Sequence, residues 1–310
     1  MSGALTETND ERGDDEHLAA RLRALETQYA ETQRALVDAL QRLAALEAAR
    51  RASPGESRQR TVSERFTAIY PAFEDHFRGS EAEITGRQSV YLPVVEKVVT
   101  SGGVVDVGPG RGEWLALLRD RGIRAYGVEA HLRFADACRT KGLTVIHGDA
   151  IAHLWELPSA TLDMVTSFHV VEHLDTEELL GLIAAAHHAL RPGGCLLLET
   201  PNPTNLVMGA CDFYADPTHR APLPPHLLEY LVAVQGFGEI EVRHLHPRTE
   251  PLCQLLDIPV DAALKPLIKT VAQRLYGPQD YAILGYRLLL GEQSDLLIMG
   301  AKEQQEQVGL

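Results

Sequence analysis

A doubly wound α/β fold is what this sequence predicts, on three observations. From Gly103 onward, short apolar runs of strand length alternate with stretches of helical periodicity. The first apolar run ends in a glycine-rich turn that leads directly into a helical stretch. A strand–helix–strand rhythm demands parallel pairing with right-handed crossovers, hence a sheet covered on both faces. The strand candidates are Val104–Val107, Ala125–Val128, Thr144–His147, Leu162–Phe168 and Cys195–Glu199, with helices around 112–121, 131–141 and 176–190. Glu239–His244 offers a sixth strand, and a seventh falls on either Tyr281–Arg287 or Leu296–Ala301.

Composition bounds what such a chain can do. It has 310 residues, 45% of them apolar, which supports one sizeable core with appendages. Acidic residues outnumber basic ones, 43 to 29, for a formal net charge of −14. That balance argues against sequence-independent nucleic-acid binding, which rests on neutralising phosphates. Cys138, Cys195, Cys211 and Cys253 are scattered, with neither a disulfide framework nor a zinc spacing. No leader-like segment and no membrane-length apolar run is present. A cytoplasmic location is the expectation.

In chain order, residues 1–15 read as a disordered lead and 16–51 as a coiled-coil helix. Leu22, Tyr29, Leu36 and Leu43 recur at heptad spacing, with Leu18, Leu25, Thr32, Ala39 and Leu46 at the complementary positions. A homo-oligomer through this seam is the expectation, against a lone amphipathic helix packed on its own domain. Residues 52–60 read as a linker. The stretch 61–102 reads as an N-terminal helical flap carrying Phe66, Tyr70, Phe73, Phe77 and Tyr91, and 103–310 as the main domain. A helical insert with Pro251, Pro259 and Pro266 is placed at about 247–280.

The strongest local signal is Asp106-Val107-Gly108-Pro109-Gly110-Arg111-Gly112 at the end of the first strand. Alternate glycines let the chain turn sharply and bring backbone against a ligand. An acidic residue at the strand end suits a cationic ligand better than a pyrophosphate, and no G-K-[ST] follows to make a phosphate loop. Glu129 ends the second strand, where a carboxylate can accept ribose hydroxyls. Asp149, after the third, could accept from an adenine amino group.

In order and spacing, these residues resemble the class I S-adenosylmethionine-dependent methyltransferases, with Leu190-Arg191-Pro192-Gly193-Gly194 as a further hallmark. The resemblance spans about 103–245 and implies a Rossmann-like, seven-stranded sheet. It also implies a cofactor site of Asp106, Gly108, Gly110, Gly112, Glu129, Asp149 and Phe168, with S-adenosylmethionine as methyl donor. A nicotinamide dehydrogenase is the rival, but its G-x-G-x-x-G spacing is absent.

Methyl transfer to an oxygen needs a base or a metal, because an alcohol that keeps its proton is a poor nucleophile. His169, Glu172 and His173 follow the fourth strand as H-x-x-E-H, and Asp216-Pro217-Thr218-His219-Arg220 lies in a polar loop beyond the fifth. If Val170 starts a helical turn, His169, Glu172 and His173 share one face. Beside a purely structural role, in which the segment merely shapes the acceptor pocket, two functional readings stay open. In one, His169, His173 or His219 acts catalytically, as a base. In the other, His169, Glu172, His173 and His219 bind a divalent cation such as Mg2+ or Mn2+. The pattern resembles E-x-x-E-H with later histidines in small-RNA 2′-O-methyltransferases, but with histidine at position 169.

Phe77-Arg78-Gly79-Ser80, Glu199-Thr200-Pro201-Asn202-Pro203, Phe213-Tyr214-Ala215-Asp216-Pro217-Thr218-His219 and Gly277-Pro278-Gln279-Asp280-Tyr281 resemble methyltransferases of bacterial surface-polysaccharide biosynthesis. This resemblance implies a sugar or glycan hydroxyl as acceptor. Small-molecule O-methylation of quinones or natural products and a non-catalytic coiled-coil scaffold are the alternatives.

Overall fold

The computed structural model describes residues 78–248 and 261–288. The lead, the coiled coil, the linker, residues 61–77 of the flap, and Leu296–Ala301 lie outside the described residues.

Seven strands form one sheet in the order β3-β2-β1-β4-β5-β7-β6. They are β1 (Val104–Val107), β2 (Ala125–Glu129), β3 (Val145–His147), β4 (Leu162–Phe168), β5 (Leu190–Pro201), β6 (Phe237–Pro247) and β7 (Pro278–Arg287). The first five pair in parallel, whereas β7 runs antiparallel to both β5 and β6. All four residues of β1 and all seven of β4 are buried, Asp106, Asp163, Thr166 and Ser167 among them, so neither strand has a solvent face. The chain leaves β1 toward β2 and β3 and returns to β4 on the other side. That reversal opens a crevice at the carboxyl ends of β1 and β4, where ligands bind in such sheets.

Helices cover both faces. On one, α2 (Leu92–Val98) and α3 (Glu113–Asp120) pack against the sheet, and α1 (Glu81–Gln88) lies against α3. There Tyr91, Val95, Trp114 and Leu118 meet Met164, Phe168 and Leu197. Each large apolar side chain buried in this way contributes about 1.5–3 kcal/mol. On the other face, Leu179, Leu182 and Ile183 of α6 (Thr176–Ala189) and Leu228 and Val232 of α8 (Pro225–Val234) pack on Val105, Val165 and Leu196. Flanking helices α4 (Leu132–Thr140), α5 (Ala150–Glu156), α7 (Leu206–Ala210) and α9 (Lys265–Tyr276) complete the described α-helices.

Arg191 of the L-R-P-G-G run has a structural job. Its guanidinium donates to buried Asp163 on β4 and to the Val98 carbonyl ending α2. Asp163 also accepts from the backbone amides of Thr100, Gly102 and Gly103. Burial would raise the Asp163 pKa, but Arg191 and those amides outweigh it and hold it below the ordinary carboxylate range.

Several boundaries differ from the sequence reading. The seventh strand is the Tyr281–Arg287 candidate, begun at Pro278, so the insert placed at 247–280 overlaps it by three residues. Strand β5 starts at Leu190 and takes in the L-R-P-G-G run itself. Helices α5 and α8 carried no periodic signal strong enough to be picked out beforehand. The antiparallel β7 departs from an all-parallel rhythm because it inserts between β5 and the edge strand β6, antiparallel to both.

Candidate active site

The glycine loop joins β1 to α3 with Gly108, Gly110 and Gly112 all at positive φ. Gly112, at φ 84°, precedes α3, and a Cβ there would stand 2.5 Å from Leu143. At Gly108 a Cβ would stand 2.6 Å from Val170, so both positions exclude side chains on conformation and on space.

Above this loop lies a cavity of about 700 Å³, lined by Gly108, Gly110, Glu129, Asp149, Phe168, His169 and His173 among others. Glu129 is anchored by the amides of Gly110 (3.1 Å) and His131 (2.7 Å), which aims its carboxylate into the crevice. Asp149 caps α5 through Oδ1, accepting from the amides of Ile151 (2.8 Å) and Ala152 (3.0 Å), and the cap leaves Oδ2 unused. Asp106 and Gly112 do not line the cavity. Asp106 sits beneath the loop, 1% exposed, where it accepts from the Thr166 hydroxyl at 2.7 Å. Burial pushes its carboxyl up to about 7, against the lowering effects of Thr166 and Arg78.

A second cavity of about 550 Å³ adjoins the first, and Arg78, Phe168, His169 and His173 line both. His169 has φ 55° and stands outside the short 3-10 turn Val171–His173. The continuous helical turn expected from Val170 therefore does not form, and the four expected ligands divide into two groups.

In the first group His169 is enclosed by carboxylates. Its Nδ1 lies 3.3 Å from Glu172 Oε1, and its Nε2 lies 3.4 Å from Glu199 Oε1 and 3.8 Å from Asp280 Oδ1. Burial would lower the His169 pKa, but the facing Glu172 and Glu199, then Asp280, raise it well above the ordinary imidazole value. Each carboxylate has its own anchor: Thr200 donates to Glu172 (2.9 Å), the buried Tyr91 hydroxyl donates to Glu199, and His246 Nδ1 lies 2.9 Å from Asp280 Oδ2.

The second group is Glu172, His173 and His219, with one ligand atom from each within 4.8 Å of the others. The hydrogen-bond network assigns both tautomers. His219 Nδ1 meets the Phe213 carbonyl at 2.6 Å, and a carbonyl only accepts, so Nδ1 carries the proton. Thr218 donates its hydroxyl to Asp216 at 2.6 Å and so accepts from His173 Nδ1 at 2.8 Å. Both imidazoles therefore keep a lone pair on Nε2. Glu172 Oε1, fully buried and without an aligned donor, lies 3.9 Å from His219 Nε2. Burial would raise the Glu172 pKa, but His169, His173 and His219 bring it down to about 2. Burial lowers that of His219.

Sequence reasoning missed Glu199, Asp280, Tyr91 and His246 as site residues. Glu199 had a signal: like Asp106 and Glu129, it is an acid closing an apolar strand. Asp280 had only its place in the Gly277–Tyr281 run that carries the resemblance; it stands near the start of a strand, and only the antiparallel course of β7 brings it beside the ends of the others.

Residues 29–242 match the family described as "Methyltransferase domain". A solved SAM-dependent methyltransferase from Archaeoglobus fulgidus is 33% identical with a TM-score of 0.63, covering 70% of this chain and 99% of its own. A Mycolicibacterium smegmatis protein named "Probable S-adenosylmethionine-dependent methyltransferase" is 32% identical over 144 residues, 44% of this chain. That match spans about half, 52%, of the curated relative's length. The protein solved with the Haloferax volcanii Trm112 methyltransferase activator shares the fold at 16% identity and a TM-score of 0.52, covering 74% of this chain and 99% of its own. A glycine-lined crevice at the switch point of a seven-stranded sheet, together with these relationships, makes this chain an enzyme of the S-adenosylmethionine-dependent methyltransferase family.

Proposed function

We propose that this enzyme transfers a methyl group from S-adenosylmethionine to a hydroxyl of a sugar, within a bacterial glycan or polysaccharide. S-adenosylmethionine supplies an electrophilic methyl on a sulfonium. Gly108 and Gly110 bring backbone against it, Glu129 takes the ribose hydroxyls, Asp149 Oδ2 takes the adenine amino group, and Phe168 closes the wall between the two cavities. Asp106 acts from beneath the loop, its negative charge favouring the ammonium end.

The observation that carries the oxygen-acceptor reading is the second cavity. It is large enough for one or two sugar rings, and its floor sets His169 between Glu199 and Asp280 at the border with the cofactor cleft. Two neighbouring carboxylates can each accept one hydroxyl of a diol, which orients the nucleophile.

Mg2+ or Mn2+ at Glu172, His173 and His219 fits this chemistry. Two neutral imidazoles with assigned tautomers and one buried, unaligned carboxylate oxygen form a donor set for a divalent cation. His169 supports this group from outside through Glu172 rather than joining it. We also retain the N-terminal seam as the route to a homo-oligomer.

The test is transfer of radiolabelled methyl to a panel of mannosides, other bacterial glycans and catechols, with Mg2+ and with chelator. Label in glycans, reduced on chelation, is expected. Label confined to catechols would overturn the sugar reading, and glycan labelling unaffected by chelation would remove the cation.

A further inference from the structure

A methylated hydroxyl must give up its proton to some atom at the junction of the two cavities. His169 lines both cavities, and both of its nitrogens already face carboxylate oxygens, at 3.3, 3.4 and 3.8 Å. Neither nitrogen presents a lone pair to an entering alcohol. Glu172 does not line the acceptor cavity and spends Oε2 on Thr200. Glu199 does line it, but Tyr91 occupies Oε2 and Oε1 is the carboxylate oxygen closest to His169 Nε2.

His173 and His219 keep Nε2 lone pairs at this cavity, but those are assigned to the cation above. Asp280 differs from all of these. It lines the cavity, and its Oδ1 lies 3.8 Å from His169 Nε2, beyond hydrogen-bond distance, with no other partner among the described residues. Its Oδ2 is held by His246 Nδ1 at 2.9 Å. His246 is itself an unusual residue. It sits on β6 at φ 55°, 14% exposed by side chain, and its Nε2 is buried without a hydrogen bond. A non-glycine residue in the left-handed region with an orphaned ring nitrogen is a strained arrangement of the kind that concentrates at functional sites. What this strain achieves is the Nδ1 contact that fixes the Asp280 carboxylate and turns Oδ1 toward the cavity.

We propose that Asp280 is the proton acceptor of the methyl transfer and that His246 is its positioning residue. The inference rests on the oxygen-acceptor reading above. As the acceptor oxygen bonds to the methyl carbon, the carbon–sulfur bond breaks and its electron pair stays on sulfur, leaving a neutral thioether. The hydroxyl proton passes to Asp280 Oδ1, so an anion and a sulfonium are neutralised together. Removing opposite charges in one step suits a site walled by Phe168, which the buried Tyr91 ring backs, where isolated charge is costly. The arrangement follows the logic of a base oriented by a third group, with carboxylate and imidazole in exchanged places.

The experiment compares the full-length wild type with Asp280→Asn and His246→Gln. The probes are methyl mannoside and its deoxyfluoro analogues, whose remaining hydroxyls are more acidic. Thermal midpoints and S-adenosylmethionine affinity are measured alongside, so that misfolding is seen directly. For methyl mannoside, Asp280→Asn is expected to lower kcat by about 10²–10⁴-fold with cofactor affinity little changed, the range for losing a general base. The deficit should shrink at least roughly tenfold with the fluorinated acceptors, which need less help to ionise. His246→Gln should show a smaller loss in kcat than Asp280→Asn, at nearly constant KM, and the same rescue. Equal losses for plain and fluorinated acceptors in a folded Asp280→Asn enzyme, or an undiminished kcat, would overturn the proposal while the oxygen-acceptor reading stands. A wild type that methylates no hydroxyl of the panel would overturn both.

Discussion

Asp106 shows how one buried carboxyl can link cofactor binding to pH. Its pKa in the folded chain, about 7, lies well above the value of an unfolded aspartate because burial disfavours the charge. A raised folded pKa means a stability contribution that is complete below the unfolded value and lost as pH rises through about 7. Cofactor binding should have the opposite sign, since the ammonium end favours the ionised form. Titration calorimetry is expected to show affinity falling roughly tenfold per pH unit below about 7, with an apparent enthalpy that varies with buffer as protons are released. Asp106→Asn should bind weakly and without that pH dependence. A wild-type affinity flat across this range would refute the linkage.

At the scale of elements, α5 illustrates a double use of one side chain. Asp149 caps the helix through Oδ1 while Oδ2 is assigned to adenine. Alanine at this position is expected to cost about 1 kcal/mol of stability in urea unfolding, the ordinary worth of an N-cap. Asparagine, itself a good cap, should keep the stability and lose cofactor affinity only in part, because its amide retains one acceptor. Equal affinity in all three proteins would remove Asp149 from the cofactor site. The glycine loop was the most legible element, because positive φ and close approach at Gly108 and Gly112 are demands that only glycine meets. The 3-10 turn after β4 was less so. Its H-x-x-E-H spacing suggested one helical face, whereas φ 55° at His169 turns that ring toward Glu199 and Asp280.

For the molecule as a whole, the Asp163–Arg191 pair joins α2, β4 and β5 behind the site. Removing the charge from a fully buried carboxylate that receives Arg191 and three backbone amides should be severe. Asp163→Asn is expected to lose about 3 kcal/mol in chemical denaturation, the lower end for breaking a buried pair. Because the folded pKa of Asp163 is depressed, its stabilisation is present above the unfolded aspartate value and lost as pH falls through the folded one. A loss below roughly 1 kcal/mol would show the clamp to be marginal.

What the sequence by itself determined is whatever local chemistry and periodicity dictate. The strand rhythm, the glycine turn, the acids closing β1 and β2 and the absence of metal-type cysteine spacing each follow from residues close together in the chain. Only the tertiary structure decided the composition of the acceptor site. Tyr91 precedes the sheet, Glu199 ends a parallel strand, and Asp280 begins an antiparallel one, so their meeting at His169 depends on strand order and direction. Contacts between residues as far apart as 169 and 280 are set by how the sheet closes, and no spacing along the chain encodes that closure.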